Sequence, residues 1–140
     1  MSRQTEEAAS GDSPLRDSES SRETALELAR LLEEHRGGMP LVLDLRDMNA
    51  WTDFFVIVTA TSGAHQDGLE RHVREFTLQR GIEILRRSRK PAVQGDDWRL
   101  IDLGAIVIHI MSGGARKFYE LERLWSAAAV IYPDGAAPEP

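Results

Sequence analysis

The spacing of apolar residues changes along the chain, and each change predicts the start or end of a helix or strand. Apolar positions three or four residues apart predict a first α-helix that begins near Ser20 and ends at the pair Gly37-Gly38. Ser20 and Glu23 have the spacing of a capping box, which supports this start. Strands are predicted at residues 41–45 and 54–59, and the second is continuously apolar, which is typical of a strand covered on both faces.

The middle of the chain predicts a second helix with clear signals at both ends. Ser62 is suited to cap a helix that runs to about Arg80. Gly81 is suited to stop it, because glycine readily adopts the left-handed conformation. A third strand is then predicted at residues 82–85, and the basic run at residues 86–90 is interpreted as a solvated loop.

The last third of the chain predicts a β-hairpin and a closing helix. Its strands are expected at residues 98–102 and 105–111, and the link Leu103-Gly104 is so short that they must be antiparallel. Ser112 is suited to cap the last helix. The predicted buried stripe of that helix consists of Phe118, Leu121 and Trp125.

The order of these elements, α-β-β-α-β-β-β-α, predicts the fold class. It indicates a single α/β domain with one mixed β-sheet of about five strands flanked by helices. The domain is expected to span residues 20–131. Residues 1–19 and 132–140 carry little apolar periodicity and are predicted to be disordered tails.

Composition and charge narrow the classes of function. The 140-residue chain has a formal net charge of −6, whereas a protein that binds nucleic acid mainly through its phosphates needs a basic surplus. An acidic domain more naturally binds a basic protein. The chain has no cysteine, which excludes disulfides, thiolate metal sites and cysteine nucleophiles. With no apolar run of roughly 18–20 residues and no signal-peptide core, a cytoplasmic location is expected.

Three stretches in register resemble the Iojap-like family of ribosomal silencing factors. They are Thr52-Asp53-Phe54-Phe55-Val56-Ile57 with Thr59-Ala60-Thr61-Ser62 and His65, then Trp98 to Gly104 with Ile106-Val107-Ile108-His109, and Arg116 to Trp125. The resemblance covers about residues 22–126. It implies a fold related to nucleotidyltransferases and a function without catalysis. Family members bind the fourteenth protein of the large ribosomal subunit, block association with the small subunit and repress translation.

The chain departs from the family's pattern in two places and at its end. Ala105 stands where the family commonly has Asp after the hairpin glycine. If that Asp meets a basic partner, the contact is lost here. Trp51 replaces a smaller residue before Thr52-Asp53, and from Ala127 onward the resemblance identifies no family counterpart.

The candidate partner-binding residues cluster around the predicted hairpin. They are Trp98, Leu100, Asp102, Leu103, Met111 and Tyr119. Alternation places Trp98, Leu100 and Asp102 on one face of their strand, and the resemblance implies that Trp98 faces the ribosome. Leu103 is expected to be exposed at the turn, and Met111 to offer an adaptable thioether at the strand end.

Each of these residues also has a purely structural interpretation, which the sequence leaves open. Trp98 can be a core residue, and Leu103 and Met111 can pack under the last helix. Asp102 can hold its own turn by bonding to the backbone. His109, alone on an apolar strand, is expected to be a core residue that is hydrogen-bonded to a neighbour.

Rival functions also remain open. Asp44, Asp47 and Asp53, with the strand-to-helix turn at Ser62, motivate a nucleotide-binding or nucleotidyl-transferring enzyme. The two carboxylates one residue apart that such enzymes place on a strand are missing, so no catalytic residue, cofactor or metal site is predicted. A homodimer formed through exposed sheet edges is another alternative, compatible with ribosome binding. The basic run at residues 86–90 offers a minor contact with ribosomal RNA.

Overall fold

Six strands and four helices form the part of the chain that the computed structural model describes, which is residue 15, residues 17–90 and residues 97–133. The helices are α1 (Ser18–Glu34), α2 (Gly63–Arg80), α3 (Gly113–Tyr119) and α4 (Leu121–Leu124). The strands are β1 (Gly38–Asp44), β2 (Phe54–Ala60), β3 (Arg86–Lys90), β4 (Trp98–Asp102), β5 (Ile106–Ser112) and β6 (Ala129–Tyr132).

All six strands belong to one mixed sheet, in the order β3-β4-β5-β2-β1-β6. Strands β2 and β5 are parallel and pair without a break from Phe54 opposite Ile106 to Ala60 opposite Ser112. The other neighbouring strands are antiparallel. A parallel pair needs a long crossover, which α2, β3 and β4 provide. The predicted mixed α/β sheet is therefore confirmed, with one strand more than the sequence indicated.

Alternation along the central strands fills a hydrophobic core on each face of the sheet. The first core is built from Val42, Phe54, Val56, Val58, Ile106, Ile108 and Ile110, packed against Leu28 and Leu32 of α1 and Leu69 and Val73 of α2. The second core contains Leu43, Leu45, Phe55, Ile57, Val107, Met111, Ala115, Leu121 and Ala128. Long helices cover the first face, whereas only the short α3 and α4 lie over the second. The second face is consequently the less thickly covered of the two.

Helix α1 differs from the prediction at both ends. Asp17, not Ser20, caps it, because the Asp17 carboxylate accepts a hydrogen bond of 2.8 Å from the Ser20 backbone N–H. At the other end Arg36, not a glycine, adopts the left-handed conformation with φ of 71°. Gly37 serves a close approach instead, since a Cβ there would lie 2.8 Å from the Leu32 carbonyl oxygen. The ordered domain therefore begins before residue 20, and the tail up to residue 14 lies outside the described residues.

Strand β3 was predicted in the wrong place. Ile82 is buried and Ile84 partly buried in the first core, but residues 82–85 form no strand. The strand forms over the basic run that was interpreted as a loop, Arg86–Lys90. As an edge strand exposed to solvent, it is defined by backbone hydrogen bonds to β4 and not by an apolar pattern.

The chain after the last helix was also misjudged, because β6 pairs with β1 and extends the sheet to residue 132. Val130 and Ile131 pack against the second and the first core respectively. The Tyr132 hydroxyl donates a hydrogen bond to the Glu33 carboxylate near the end of α1. Residue 132 thus belongs to the domain and not to a tail, and residues 134–140 lie outside the described residues.

Helix α2 has the predicted boundaries. The glycines at its two ends, Gly81 and Gly63, can be compared by the same substitution. Gly81 has φ of 70° with open space around it, so replacing it by alanine adds only backbone strain. Gly81→Ala is expected to lower the free energy of unfolding by about 1–2 kcal/mol. Gly63, in the first turn, also has open space around a would-be Cβ but lacks a positive φ. Gly63→Ala should be neutral or slightly stabilising in the same urea titration, and equal losses in both variants would contradict this account.

Candidate docking face

Trp98 stands at the start of β4, opposite Met111 of β5, and its ring lies over the second face of the sheet. The half-buried indole is fixed from two sides. Its N–H donates a hydrogen bond of 3.0 Å to Nδ1 of His109, and the ring of Tyr119 lies 4.7 Å away, centre to centre. Trp98 is therefore neither a pure core residue nor a loose surface residue, because one edge is anchored while part of the ring remains exposed.

His109 is the buried anchor of this arrangement, as predicted from its place in an apolar strand. Only 2% of the residue is exposed, and the ring of Phe55 packs edge-on at 4.4 Å. The loss of hydration lowers the pKa of His109 to about 3, so the imidazole is neutral at physiological pH. An indole N–H can only donate, so Nδ1 is the acceptor and the proton resides on Nε2.

Seven rings connect the core to the surface, and together they form what we call the aromatic row. Its members are Trp51, Phe55, Trp125, His109, Trp98, Tyr119 and Phe118. Trp125 branches from Phe55, and neighbouring rings lie between 4.4 and 6.1 Å apart, distances at which aromatic pairs attract each other. The two ends of the row are the most exposed, with Trp51 at 59% and Phe118 at 77%.

Phe118 was predicted to lie in the buried stripe of the last helix, and that prediction was wrong. The helix breaks at Glu120, which adopts the left-handed conformation with φ of 49°. Helical spacing therefore does not continue from Phe118 to Leu121 and Trp125. Arg116 fixes α3 onto the sheet, donating 2.9 Å to the Thr59 hydroxyl, and Phe118 points outward. The break turns a predicted core residue into a surface ring beside Tyr119.

Two of the predicted partner-binding residues are not accessible. Leu103 is 5% exposed and belongs to the first core, so its side chain points inward at the turn. Met111 is fully buried in the second core. Their expected exposure is therefore wrong. Met111 packs in the core that contains Ala115 and Leu121 of the closing helices, as its structural interpretation held, whereas Leu103 lies in the core on the other face of the sheet. Leu100 and Tyr119 remain half-buried on the second face with Trp98, as expected.

Asp102 holds its own hairpin turn, which was one of its two interpretations. Its carboxylate accepts a hydrogen bond of 2.8 Å from the Gly104 N–H and lies 3.6 Å from the Arg86 guanidinium. Gly104 needs its freedom here, since its φ is 96°. The antiparallel hairpin itself is confirmed, and it closes with a bond of 2.8 Å from the Leu103 N–H to the Ile106 carbonyl.

Asp44 and the turn at Ser62, two of the features that motivated an enzyme, are engaged in structural contacts. The Asp44 carboxylate accepts bonds of 2.9 and 2.6 Å from Arg46. Burial raises the pKa of Asp44, but the bonds from Arg46 outweigh this effect and lower that pKa. At the turn before α2, the Ser62 hydroxyl accepts from the His65 N–H, and His65 Nδ1 accepts from the Thr61 N–H. These contacts match a capped turn and not a phosphate site.

Residues 15, 17–90 and 97–133 also lack two other kinds of feature. In that part of the chain, no group of three or more His, Asp or Glu side chains is placed to hold a metal ion. None of the helices described there combines the length and the apolar character that crossing a membrane requires.

The structure defines an α/β domain with an open sheet face that displays a row of anchored and exposed rings, the kind of surface that protein partners often bind. Comparison with known sequences then identifies the family. A model of the family "Ribosomal silencing factor during starvation" matches residues 18–139, and the chain belongs to this family. The match extends beyond residue 127, so the closing segment with β6 does have a family counterpart.

Individual relatives agree with this assignment. The chain is 33% identical over 103 residues to "Ribosomal silencing factor RsfS" of Treponema pallidum, covering 74% of this chain and 90% of that one. It is 32% identical over 104 residues to "Mitochondrial assembly of ribosomal large subunit protein 1" of Mus musculus, covering 71% and 43%. A crystal structure of a Chromobacterium violaceum protein superposes with a TM-score of 0.64 at 24% identity, covering 79% and 87%, and shows the same fold.

The buried His109 gives the domain a specific dependence on pH. The unfolded chain binds a proton at this histidine below its ordinary pKa of 6.5, whereas the folded protein does not until about 3. Its neutral state therefore stabilises the fold fully above pH 6.5, and this stability is lost as the pH falls toward 3. The free energy of unfolding should decrease by up to about 1.4 kcal/mol per pH unit within that window.

His109→Gln provides the matched comparison, because an amide oxygen can still accept from the Trp98 N–H but does not titrate. Urea unfolding between about pH 4 and pH 6 should show a shallower pH dependence for the variant than for the wild type. Other titrating groups are common to both proteins and cancel. Equal slopes would show that His109 is not the buried neutral group described here.

Proposed function

We propose that this chain silences ribosomes by binding the large subunit through the aromatic row. Its target is the fourteenth protein of that subunit, and its occupancy there prevents the small subunit from joining and represses translation. The observation that carries the proposal is the exposure of Phe118 beside the half-buried Tyr119 and Trp98 on the thinly covered face of the sheet. Family membership and the printed name of the mouse relative support a ribosomal partner.

The rings of the aromatic row suit a binding surface for a physical reason. Tyrosine and tryptophan are enriched among the residues that dominate binding energy. Binding is weakened when flexible side chains must be ordered at the interface. Here the bond to His109 and the contact with Tyr119 already fix Trp98, so little rotational freedom is left to lose.

Charge favours a basic protein as the partner. The chain carries a net charge of −6, which attracts the basic surfaces of ribosomal proteins and speeds encounter. Asp102 contributes less than its sequence position implied, since Arg86 and the turn already engage its carboxylate. In this proposal the rings therefore anchor the partner, and the net negative charge attracts it, without a specific ion pair from Asp102.

Obstruction of a surface requires no chemistry. A typical specific interface buries roughly 1,600 Å² in total, which a domain of this size can supply from one face. The proposal therefore assigns no catalytic residue, cofactor or metal to the chain, and it places the protein in the cytoplasm with the ribosomes.

Self-association is a separate part of the proposal. Strand β6 pairs with β1 on one side and lies at the edge of the sheet on the other. An edge strand of this kind is a template for pairing with a second copy. Light scattering of the purified protein, with and without large subunits, would show whether a dimer forms and whether it competes with ribosome binding.

Phe118→Asp tests the docking face with little risk to the fold, because the side chain is 77% exposed. Placing a charge among the rings should reduce binding to purified large subunits by at least about tenfold, as expected for loss of one interface anchor. Leu78→Asp is the matched control, since Leu78 is 83% exposed on α2. Co-sedimentation through sucrose gradients measures the bound fraction, and equal binding by both variants would remove Phe118 from the interface.

Trp98→Ala should also abolish binding, at a measurable cost in stability. The change leaves Nδ1 of the buried His109 without its donor, which costs about 1–3 kcal/mol of folding free energy. Circular dichroism must therefore show that the variant is folded at the assay temperature. In the same buffer, wild-type protein should keep large and small subunits apart, and full subunit joining at saturating protein would refute the proposed function.

A further inference from the structure

A basic groove lies on the face of the sheet opposite the aromatic row. It encloses about 620 Å³ between α2 and the β3–β4 pair. Five arginines line it: Arg71, Arg74, Arg87, Arg89 and Arg99. Two carboxylates, Asp67 and Glu70, share the lining among the described residues, so that part of the lining carries a surplus of three positive charges within a chain of net charge −6. This local reversal of charge is not needed for docking on a basic protein.

Strand alternation places this groove on the opposite face of the sheet from the aromatic row. Arg99 pairs with Arg89 across the two strands, and Arg87 pairs with Ile101, so these side chains share the face of the first core. Trp98 and Leu100 occupy the alternate positions and face the second core. The groove and the aromatic row therefore lie on opposite faces of the sheet.

Arg99 forms the floor of the groove and is held in place by the carboxylates. It is 5% exposed, and its Nη1 lies 2.5 Å from the Asp67 carboxylate and 3.4 Å from that of Glu70. Glu70 also accepts 2.8 Å from Arg87. The Nε of Arg99 has no hydrogen-bond partner among the described residues. Since a buried donor without an acceptor is costly, an unpaired Nε in a groove wall marks a place for an acceptor.

Arg71 and Arg74 supply the cations that the chain itself leaves available. They lie three residues apart on α2, so they project from the same side of the helix, and both are exposed. Within residues 15, 17–90 and 97–133, neither guanidinium forms a hydrogen bond or ion pair. Arg87 and Arg89 instead are paired with Glu70 and Asp97. An anion that enters the groove would therefore meet Arg71 and Arg74 without first breaking an ion pair.

We propose that this groove binds phosphate groups of an RNA backbone. A guanidinium matches the phosphate oxygens with paired N–H donors, and several arginines in one groove suit successive phosphates. The lining residues in the described part of the chain are all charged apart from Ser88, so no aromatic side chain among them offers a surface on which a base can stack. The groove thus reads charge and shape, not sequence. The choice of RNA among polyanions rests on the proposed ribosomal function.

The double variant Arg71→Gln with Arg74→Gln tests the groove directly. The probe is a fluorescein-labelled RNA duplex of arbitrary sequence, and anisotropy is measured over a series of salt concentrations with the full chain. At low salt the variant should bind at least about tenfold more weakly than the wild type. The slope of log K against log salt should shrink by roughly 1.5–2, because two fewer counterions are released for each complex.

Controls separate the groove from general charge and from docking. Arg30→Gln with Arg36→Gln makes the same change in net charge at exposed positions on and after α1, and should leave RNA binding unchanged. The Trp98→Ala variant should no longer bind large subunits but should still bind the RNA duplex. The ribosome-binding proposal and the groove proposal can therefore fail independently of each other. The groove proposal is overturned if the wild type does not bind the duplex at low salt, if the control pair weakens it equally, or if a poly-glutamate peptide competes as well as RNA.

Discussion

The parallel pairing of β2 with β5 is the constraint on which the rest of the structure depends. Seven consecutive residue pairs hold the two strands in register, and both strands are buried on both faces. A shift by one residue would exchange every side chain of one strand between the two cores, so each core keeps its packing only in this register. Because parallel strands cannot be joined by a tight turn, α2 and the β3–β4 pair must be placed between them in sequence.

The central strand pair also positions the rings of the aromatic row. His109 belongs to β5, its ring is packed on Phe55 of β2, and its Nδ1 orients Trp98 on the next strand. Tyr119 and Phe118 then follow on α3. The surface rings are thus connected to the most rigid part of the molecule by direct contacts. A surface arranged in this way meets a partner with its shape already set.

The sequence predicted the parts of the molecule in which local pattern and tertiary structure agree. The central strands, the hairpin, and the Ser62 and Gly81 ends of α2 were all evident from periodicity and capping chemistry. Strand β3 was missed because an exposed edge strand has no apolar signature. The break at Glu120 could not be predicted, because a left-handed glutamate has no sequence signal. For the same reason the sequence did not predict that Phe118 is exposed. The basic run was noticed at residues 86–90, but the groove that unites it with Arg71, Arg74 and Arg99 appears only in three dimensions.

The composition of β3 limits how copies of this domain can assemble. Four of its five residues are Arg or Lys, so two copies that met through their β3 edges would bring like charges together. The β6 edge, Ala129–Tyr132, has no charged residue, and an interface that uses this one patch on both partners would close after two subunits. Copies that associated through β6 alone would therefore stop at a symmetric pair, whereas a fibre requires two compatible edges on every subunit.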